Sequence, residues 1–308
     1  MGKYFIFILL IIMVFTACLW LVFLPVSEGD AGQVQFSVQK GDGSRDIALN
    51  LEKQHLIKWA PAFRIYILAK GITGQLKAGE YLLSPSMTIP EIAEKLVSGD
   101  VIKIGVTIPE GFTVRQIEER VGFELPGDNL EGFLFPDTYQ FSFGFSGEEL
   151  VEAMKDNFDK KLSKDLREDI AGQGKTVFET VTMASLIEKE VVSLEDKKLV
   201  SGILWKRLET NMLLQVDATL AYLSGQEGWT FDEMRRDLAS LKEVDSAYNT
   251  YKYLGLPPGP ICNPGLDSII AAVYPVESDY WYYLSTPQGE TVFSKTLQEH
   301  NLARAEYF

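Results

Sequence analysis

The chain has few of the residues on which disulfides and most zinc sites depend. Its 308 residues include two cysteines, Cys18 and Cys262, and two histidines, His55 and His300. Because Cys18 lies within a long apolar run, we expect no intramolecular disulfide and no cysteine framework. The histidines and cysteines do not cluster in the sequence, so it offers no zinc site of the usual kind.

Positive charge is also scarce. Lysine and arginine number 29 against 43 aspartates and glutamates, which gives a formal net charge of -14. The chain therefore lacks the basic footprint that nucleic acid or an anionic lipid surface requires, and we expect no nucleic-acid partner. Motifs of other large enzyme classes are missing too, since no GxSxG, P-loop, HExxH or GxGxxG stands in the required context.

One long stretch carries no formal charge. Tyr4–Val26 covers 23 residues, and a helix of that length crosses a hydrocarbon core of about 30 Å. Lys3 precedes the stretch and Glu28 follows it, so the positive-inside rule places the N-terminus in the cytoplasm and the remaining chain outside. We interpret residues 1–30 as a short N-terminus and a retained transmembrane anchor. A cleaved signal peptide and a lipoprotein signal at Cys18 are the alternatives.

The rest of the chain predicts an α+β fold in two parts. Residues 31–122 form one or two small modules, and a Thr cap precedes a short amphipathic helix twice, at Thr88 and Thr113. Residues 123–308 form a larger domain. The predicted elements are strands over 33–38, 76–83, 101–108, 280–284 and 290–293, helices over 45–54, 61–69, 89–97, 148–168, 176–200, 267–273 and 297–308, and an irregular segment over 125–145.

The helix predicted over 176–200 holds two carboxylates in largely apolar surroundings. A buried carboxyl has a raised pKa, which lets it keep its proton at neutral pH and act as a general acid. Periodicity favours Glu188 as the more buried of the two, and Glu190 falls on the other, also apolar, side. The alternative is that Glu188 and Lys189 are ordinary paired or solvated helix residues.

Other polar side chains are candidates for completing a site around such an acid. They lie in an alternating segment that predicts one side of an extended strand, in a Tyr/Asn loop, in a rigid Pro/Gly loop, and in an aromatic loop that can line a sugar groove. For each alone, turn formation or a core hydrogen bond is the alternative. These candidates are Gln215, Asp217, Thr219, Tyr248, Asn249, Tyr251, Asn263 and Asp137.

Five sequence blocks in order resemble the YceG-like (MltG) family of endolytic murein transglycosylases. The blocks are Glu131–Tyr139, Thr182–Glu190, Leu214–Asp217, Tyr248–Tyr251 and Gly255–Ile261. The resemblance implies cleavage of the MurNAc–GlcNAc β-1,4 bond inside nascent peptidoglycan strands, with a 1,6-anhydro-MurNAc product that terminates strand elongation. It assigns the acid to the second Glu of the Glu-Lys-Glu run, Glu190. It also implies a LysM-like module around residues 34–99.

The resemblance further implies the setting of the enzyme. No metal or cofactor is required, the catalytic domain lies outside the bacterial cytoplasmic membrane, and peptidoglycan synthases are expected partners. One rival is a hydrolytic muramidase that uses Glu190 and Asp217 as a carboxylate pair. A second rival is a membrane-anchored glycan-binding scaffold without enzymatic activity.

Overall fold

The computed structural model describes residues 24–27, 29, 31–225 and 240–308. Within these ranges the chain forms eleven helices and six short strands, which confirms the mixed α+β class. It divides into two compact units, of which unit 1 holds residues up to 105 with 140–145, and unit 2 holds 106–139 with 146–308. None of the helices in the described ranges has the length and apolar composition needed to traverse a lipid bilayer. Except for its last three residues, the predicted anchor lies outside the described residues.

Unit 1 begins with a strand, two helices and a strand. The two strands pair antiparallel from Val34 opposite Leu83 to Val38 opposite Gly79. Their apolar faces and those of the helices bury one core, in which Phe36, Phe63 and Tyr81 are fully enclosed. The elements are β1 (Val34–Val38), α1 (Ser44–Lys53), α2 (Ala60–Ala69), β2 (Gly79–Leu83) and α3 (Ile89–Ser98).

Both predicted Thr caps are confirmed. The Thr88 side chain accepts the main-chain N–H of Glu91, and the Glu91 carboxylate accepts the Thr88 N–H at 2.7 Å. Thr113 and Gln116 repeat this reciprocal arrangement at the start of α4 (Val114–Val121). Each box satisfies two N–H groups that a helix start leaves without partners, so the sequence itself fixes where these helices begin.

A second two-stranded sheet joins β3 (Lys103–Thr107) to β4 (Thr138–Ser142). The hydroxyls of Thr107 and Thr138 lie 2.9 Å apart across this pair. Residues 138–142 belong to the segment predicted as irregular, so that prediction is wrong for β4. The β-branched and aromatic residues of its Thr-Tyr-Gln-Phe-Ser sequence favour a strand, and the surrounding glycines and prolines masked that preference.

Unit 2 is built around one buried helix, α7 (Val177–Glu190), in which Thr180–Ile187 are buried without interruption. The helix packs against α8 and α10, so its two sides are both covered. The other elements of unit 2 are α5 (Gly147–Lys161), α6 (Lys164–Gly172), α8 (Leu194–Glu209), α9 (Asp217–Ser224), α10 (Leu266–Val273), β5 (Tyr282–Ser285), β6 (Thr291–Ser294) and α11 (Leu297–Tyr307).

Two long helices predicted from the sequence are each broken into two. Ser163 caps α6 by accepting the N–H of Leu166, which ends the helix predicted over 148–168. Ser193 caps α8 by accepting the N–H of Asp196, after Val191 has adopted an extended conformation. A serine whose side chain accepts one of the first free N–H groups starts a new helix. Hydrophobic periodicity alone does not detect this cap and predicts one continuous helix. The second break makes Glu190 the last residue of α7.

Candidate active site

Three elements of unit 2 meet at Glu190. Its side chain is partly buried at the end of α7. The helix packs against α9, whose first turn holds Asp217 and Ala218, and the charge of Asp217 acts on the Glu190 carboxyl. The Ser285 hydroxyl donates to the main-chain oxygen of Glu190 at 3.2 Å. The end of α7 is thus bonded to the β5–β6 hairpin through Ser285, and the same helix packs against α9.

The electrostatic surroundings of Glu190 suit a group that exchanges a proton. Burial, and then the negative charge of Asp217, raise the pKa of Glu190 to about 7. The polar groups of Tyr283 and Ala218 and the charge of Arg207 lower this pKa and so act in the opposite direction. A carboxyl with a pKa near neutrality carries a proton in a large share of molecules and still releases it readily, which is what a general acid and base requires.

Asp217 opens α9 beside this carboxyl and has a donor of its own. Its Oδ1 accepts the hydroxyl proton of Tyr251. Burial and the charge of Asp217 raise the pKa of the Tyr251 hydroxyl, so that side chain stays a neutral donor. The main-chain N–H of Tyr251 donates to Asn249 Oδ1 at 3.0 Å, and the Asn249 amide donates to the Val244 carbonyl at 2.8 Å. Asn249 therefore shapes the loop that presents Tyr251.

The alternating segment before α9 is not extended as predicted. Gln215 adopts a left-handed conformation with φ of 52° and has an exposed side chain, and the helix begins two residues later. Thr219 lies within the helix, buried, and its hydroxyl donates to the Val216 carbonyl at 2.7 Å and lies 3.0 Å from that of Thr250. The interpretation failed because Asp217 begins a helix, in which residues two apart do not share a side.

Sequence reasoning missed Arg207 and Tyr283. The guanidinium of Arg207 is buried and donates to the carbonyl of Trp281 through Nε and Nη2 and to that of Leu214 through Nη1 at 2.6 Å. It thereby ties the start of the hairpin to the segment that leads into α9. Arg207 follows Lys206 in a charged helix end, and Tyr283 lies in a predicted strand, so neither residue indicates a partner in the sequence.

Glu188 is directed to a different part of unit 2. One of its carboxylate oxygens accepts the Gly265 N–H at 3.0 Å and the Ser268 hydroxyl at 2.6 Å, at the start of α10. The same oxygen lies 3.3 Å from Nζ of Lys197, and the two side chains are only 9% and 5% exposed. These contacts make Glu188 a buried anchor between α7, α8 and α10.

The remaining predicted site residues lie against other segments. Asn263 is buried, and its amide accepts from the Leu134 N–H and donates to the Phe112 carbonyl, both at 2.9 Å. Asp137 is exposed and accepts from Asn157 at 3.0 Å. The ring of Tyr248 lies 5.1 Å from that of Tyr222 in α9, which connects its loop to the helix that reaches Glu190.

The chain is similar to known proteins over most of its length. The model of the YceG-like family matches residues 36–306. An endolytic murein transglycosylase of Bacillus subtilis is 32% identical, over 92% of this chain and 87% of that protein. One from Streptococcus pneumoniae is 30% identical over 92% of this chain, which spans 60% of that longer protein. The crystal structure of a YceG-like protein from Listeria monocytogenes superposes with a TM-score of 0.57 at 33% identity, over 89% of this chain and 99% of that one.

These similarities extend over both units and include the segments that meet at Glu190. A relative at 32% identity that is matched over 87% of its own length shares the whole architecture and not only one motif. The family match begins within β1 and ends within α11. The chain belongs to the YceG-like family.

Proposed function

We propose that this protein is an endolytic murein transglycosylase that cleaves the β-1,4 bond between MurNAc and GlcNAc within peptidoglycan strands. The observation that carries the proposal is Glu190, a half-buried residue at the junction of three elements, whose carboxyl has a pKa raised to about 7 by burial and by Asp217. The relatives in Bacillus and Streptococcus are named for this activity.

The reaction needs one group that first gives and then takes a proton. Glu190 protonates the oxygen that bridges the two sugars, the bond from C1 to that oxygen breaks, and positive charge develops on the MurNAc ring. The 6-hydroxyl oxygen of the same ring then bonds to C1, and its proton passes to the Glu190 carboxylate. The products are a 1,6-anhydro-MurNAc end and a free GlcNAc end, and the enzyme returns to its starting protonation state without consuming water.

A single carboxyl suffices because the nucleophile belongs to the substrate. Hydrolytic glycosidases use a second carboxylate to activate water or to attack the sugar. An intramolecular hydroxyl has a high effective concentration and needs no such activation. Asp217 accepts a hydrogen bond from the Tyr251 hydroxyl, and its charge raises the pKa of Glu190. Asp217 is therefore placed to keep Glu190 protonated. A hydrolase would need Asp217 to activate water, and this arrangement gives that alternative less support.

The test compares Glu190→Gln with the unaltered full-length protein on purified peptidoglycan sacculi, with the products analysed by mass spectrometry. Glu195→Gln is the matched control, because Glu195 is an exposed glutamate in the first turn of α8. We expect anhydro ends from the unaltered protein and from Glu195→Gln, and none from a folded Glu190→Gln. Reducing ends, which contain one more water, would identify a hydrolase, whereas binding without any cleavage would identify a scaffold.

We propose in addition that the strand–helix–helix–strand portion of unit 1 is a LysM-like module that binds N-acetylglucosamine polymers. Its element order and the antiparallel pairing of β1 with β2 support this. Trp59, 47% exposed at the start of α2, offers an aromatic face for a sugar ring. Trp59→Ala in the inactive Glu190→Gln background is expected to sediment less with sacculi, and unchanged sedimentation would count against this surface.

We propose finally that Tyr4–Val26 anchors the protein in the bacterial cytoplasmic membrane, with the following residues outside. The uncharged length of this stretch and the flanking charges support the orientation. Protease added to intact spheroplasts should then digest the chain, whereas protection of the whole chain would contradict this topology. Association with peptidoglycan synthases is part of the same proposal, and co-purification after cross-linking in cells tests it.

A further inference from the structure

The helix α2 is apolar on its solvent side as well as on its core side. The core side is buried in unit 1. The solvent side is a stripe with the spacing i, i+3, i+4, i+7 that consists of Pro61, Arg64, Ile65 and Leu68, all exposed. Leu68 is 72% exposed and Ile65 52%. A helix that is apolar on all sides is normally enclosed by a core or by a membrane.

The segment around α2 is basic, although the chain as a whole is acidic. Between Glu52 and Glu80 there are five lysines and arginines and no acidic residue, whereas the whole chain has a net charge of -14. All five are exposed: Lys53, Lys58, Arg64, Lys70 and Lys77. Apolar side chains on one side of a helix, with lysines and arginines around them, are typical of a helix that lies in the plane of a membrane surface. The net charge of the chain therefore does not describe this local surface.

Unit 1 is hydrogen-bonded to the end of the predicted anchor. The N–H groups of Val26 and Ser27 both donate to the carbonyl of Pro85, at 2.9 and 3.1 Å. Val26 is the last residue of the long uncharged stretch, and Pro85 lies two residues beyond the end of β2. The ten-residue helix α2 is only about 15 Å long and shares one core with β2. The exposed stripe of α2 is therefore kept close to the bilayer that the anchor would enter.

Resting on the proposed anchor, we propose that the stripe of α2 docks on the outer surface of the same membrane. Ile65 and Leu68 enter the boundary between headgroups and acyl chains, and the five basic side chains contact the anionic headgroups of phospholipids. Two apolar side chains and a few charges bind a vesicle only weakly by themselves. The anchor makes the contact intramolecular, and the high effective concentration compensates for the weak affinity.

This contact is compatible with glycan binding by unit 1. Trp59, which is proposed above to bind a sugar ring, precedes the first residue of α2 and is not part of the stripe. Docking of the stripe prevents unit 1 from pivoting about the anchor. The glycan-binding module would then meet peptidoglycan strands at a fixed height above the bilayer.

A fluorescent reporter at Leu68 tests the docking. The full-length chain with Cys18→Ser and Leu68→Cys has one reactive thiol, because Cys262 is buried, and this thiol is labelled with the environment-sensitive dye NBD. The protein is reconstituted in vesicles of phosphatidylglycerol and phosphatidylcholine, or of phosphatidylcholine alone, and the vesicles are isolated by flotation. In the anionic vesicles the emission should move to shorter wavelength and lose most of its quenching by acrylamide. Both changes should be smaller in phosphatidylcholine alone and at high salt.

Leu49→Cys, labelled in the same way, is the matched control. Leu49 is a 48% exposed leucine on α1, in the same unit. Its neighbours three and four residues away carry charges of both signs that cancel, namely Arg45, Asp46, Glu52 and Lys53. A dye at this position should keep the emission of an aqueous label in both kinds of vesicle. Arg64→Glu in the Leu68→Cys background should remove most of the shift, because it places a negative charge within the stripe.

The outcomes separate docking from anchoring. A protein that floats with the vesicles while the Leu68 reporter behaves like the Leu49 reporter would overturn the docking and leave the anchor intact. A protein that floats with neither kind of vesicle would overturn the proposed anchor and the docking with it. A Leu68 reporter that shifts only after sacculi are added would show that the stripe binds glycan instead of lipid, which also overturns the docking.

Discussion

Asp217 raises the pKa of Glu190 while its own carboxylate accepts the hydroxyl of Tyr251. Two carboxylates in one partly buried site repel each other when both are charged, so the proton is held more tightly by one of them. The two carboxylates have different roles here. Asp217 supplies the charge and is anchored to a neutral tyrosine, and Glu190 holds the proton at the point where α7, α9 and β5 meet.

Asp217→Asn should therefore lower the share of Glu190 that is protonated, because it removes the neighbouring charge. Asn keeps an oxygen that can accept from Tyr251, so the local hydrogen bond survives. With the charge gone, the pKa of Glu190 falls and a smaller fraction of the enzyme carries the acid proton at alkaline pH. We expect the alkaline limb of the pH–kcat profile to move to lower pH, with activity at pH 8 reduced by about three- to tenfold.

An alkaline limb at the wild-type position in Asp217→Asn would show that Asp217 does not set the protonation of Glu190. Equal loss of activity at all pH values would instead assign Asp217 to glycan binding or to stabilising the charged ring.

Glu190→Gln should stabilise the fold at alkaline pH. The folded-state pKa of Glu190 lies above that of an unfolded glutamate, so the unfolded chain releases this proton first, and folding becomes less favourable as pH rises from about 4.5 to about 7. Replacement by neutral Gln removes that penalty, which is at most about 3 kcal/mol at pH 8. Thermal unfolding should show a higher Tm for Glu190→Gln at pH 8 and a smaller difference at pH 5. A variant destabilised equally at both pH values would contradict the raised pKa.

The sequence predicts local structure where local chemistry decides it. The reciprocal caps at Thr88 and Thr113 and the strand–helix–helix–strand order of unit 1 follow from turn residues, caps and periodicity. The break after Glu190 was missed because Ser193 competes with a continuous apolar pattern on both sides. Helix periodicity reports burial but not which residue packs where, and it therefore favoured Glu188 over Glu190.

The active-site contacts depend on tertiary structure. The 214–217 and 248–251 blocks do meet, since the hydroxyl of Tyr251 binds Asp217 and the carbonyl of Thr250 accepts the Gln215 N–H at 3.1 Å. No residue pattern around Tyr283 or Arg207 predicts that these residues lie near Glu190. Their positions depend on how the hairpin folds back onto α8, where Arg207 binds the carbonyl of Trp281. Long-range polar pairs of this kind leave no periodic signal in a single sequence.

Gly132 should be essential to the packing of the aromatic segment Glu131–Tyr139. Its φ is +87°, and a Cβ there would lie 2.4 Å from Pro260 Cγ and 3.0 Å from Val181 Cγ1. Gly132→Ala thus combines backbone strain with overlap in a buried region, and we expect a loss of about 2–4 kcal/mol in the free energy of unfolding. Gly172→Ala is the control, because nothing lies within 4 Å of a Cβ at that position. Equal stability of the two variants in urea unfolding would contradict the close approach of Gly132 to Pro260.

Substitution of Glu188 should lower stability, whereas substitution of Glu190 should abolish activity. Glu188 lies in the core, and Glu190 lies in the candidate active site. Glu188→Ala leaves Lys197, 5% exposed, without its carboxylate, and leaves the Gly265 N–H and the Ser268 hydroxyl without their acceptor. Removal of one member of a buried ion pair costs about 3–5 kcal/mol. The variant should unfold at a lower temperature, yet the fraction that remains folded should keep the wild-type pH profile.

The double variant Glu188→Met/Lys197→Met tests the cause of that loss. Two apolar side chains of similar volume leave no unpaired charge, so much of the lost stability should return, and calorimetry on both variants measures the difference. Lys189→Ala, which alters the exposed neighbour, should leave Tm unchanged. If Glu188→Ala instead kept its Tm and lost all glycan cleavage, Glu188 would be the acid, and the contacts around Glu190 would need another explanation.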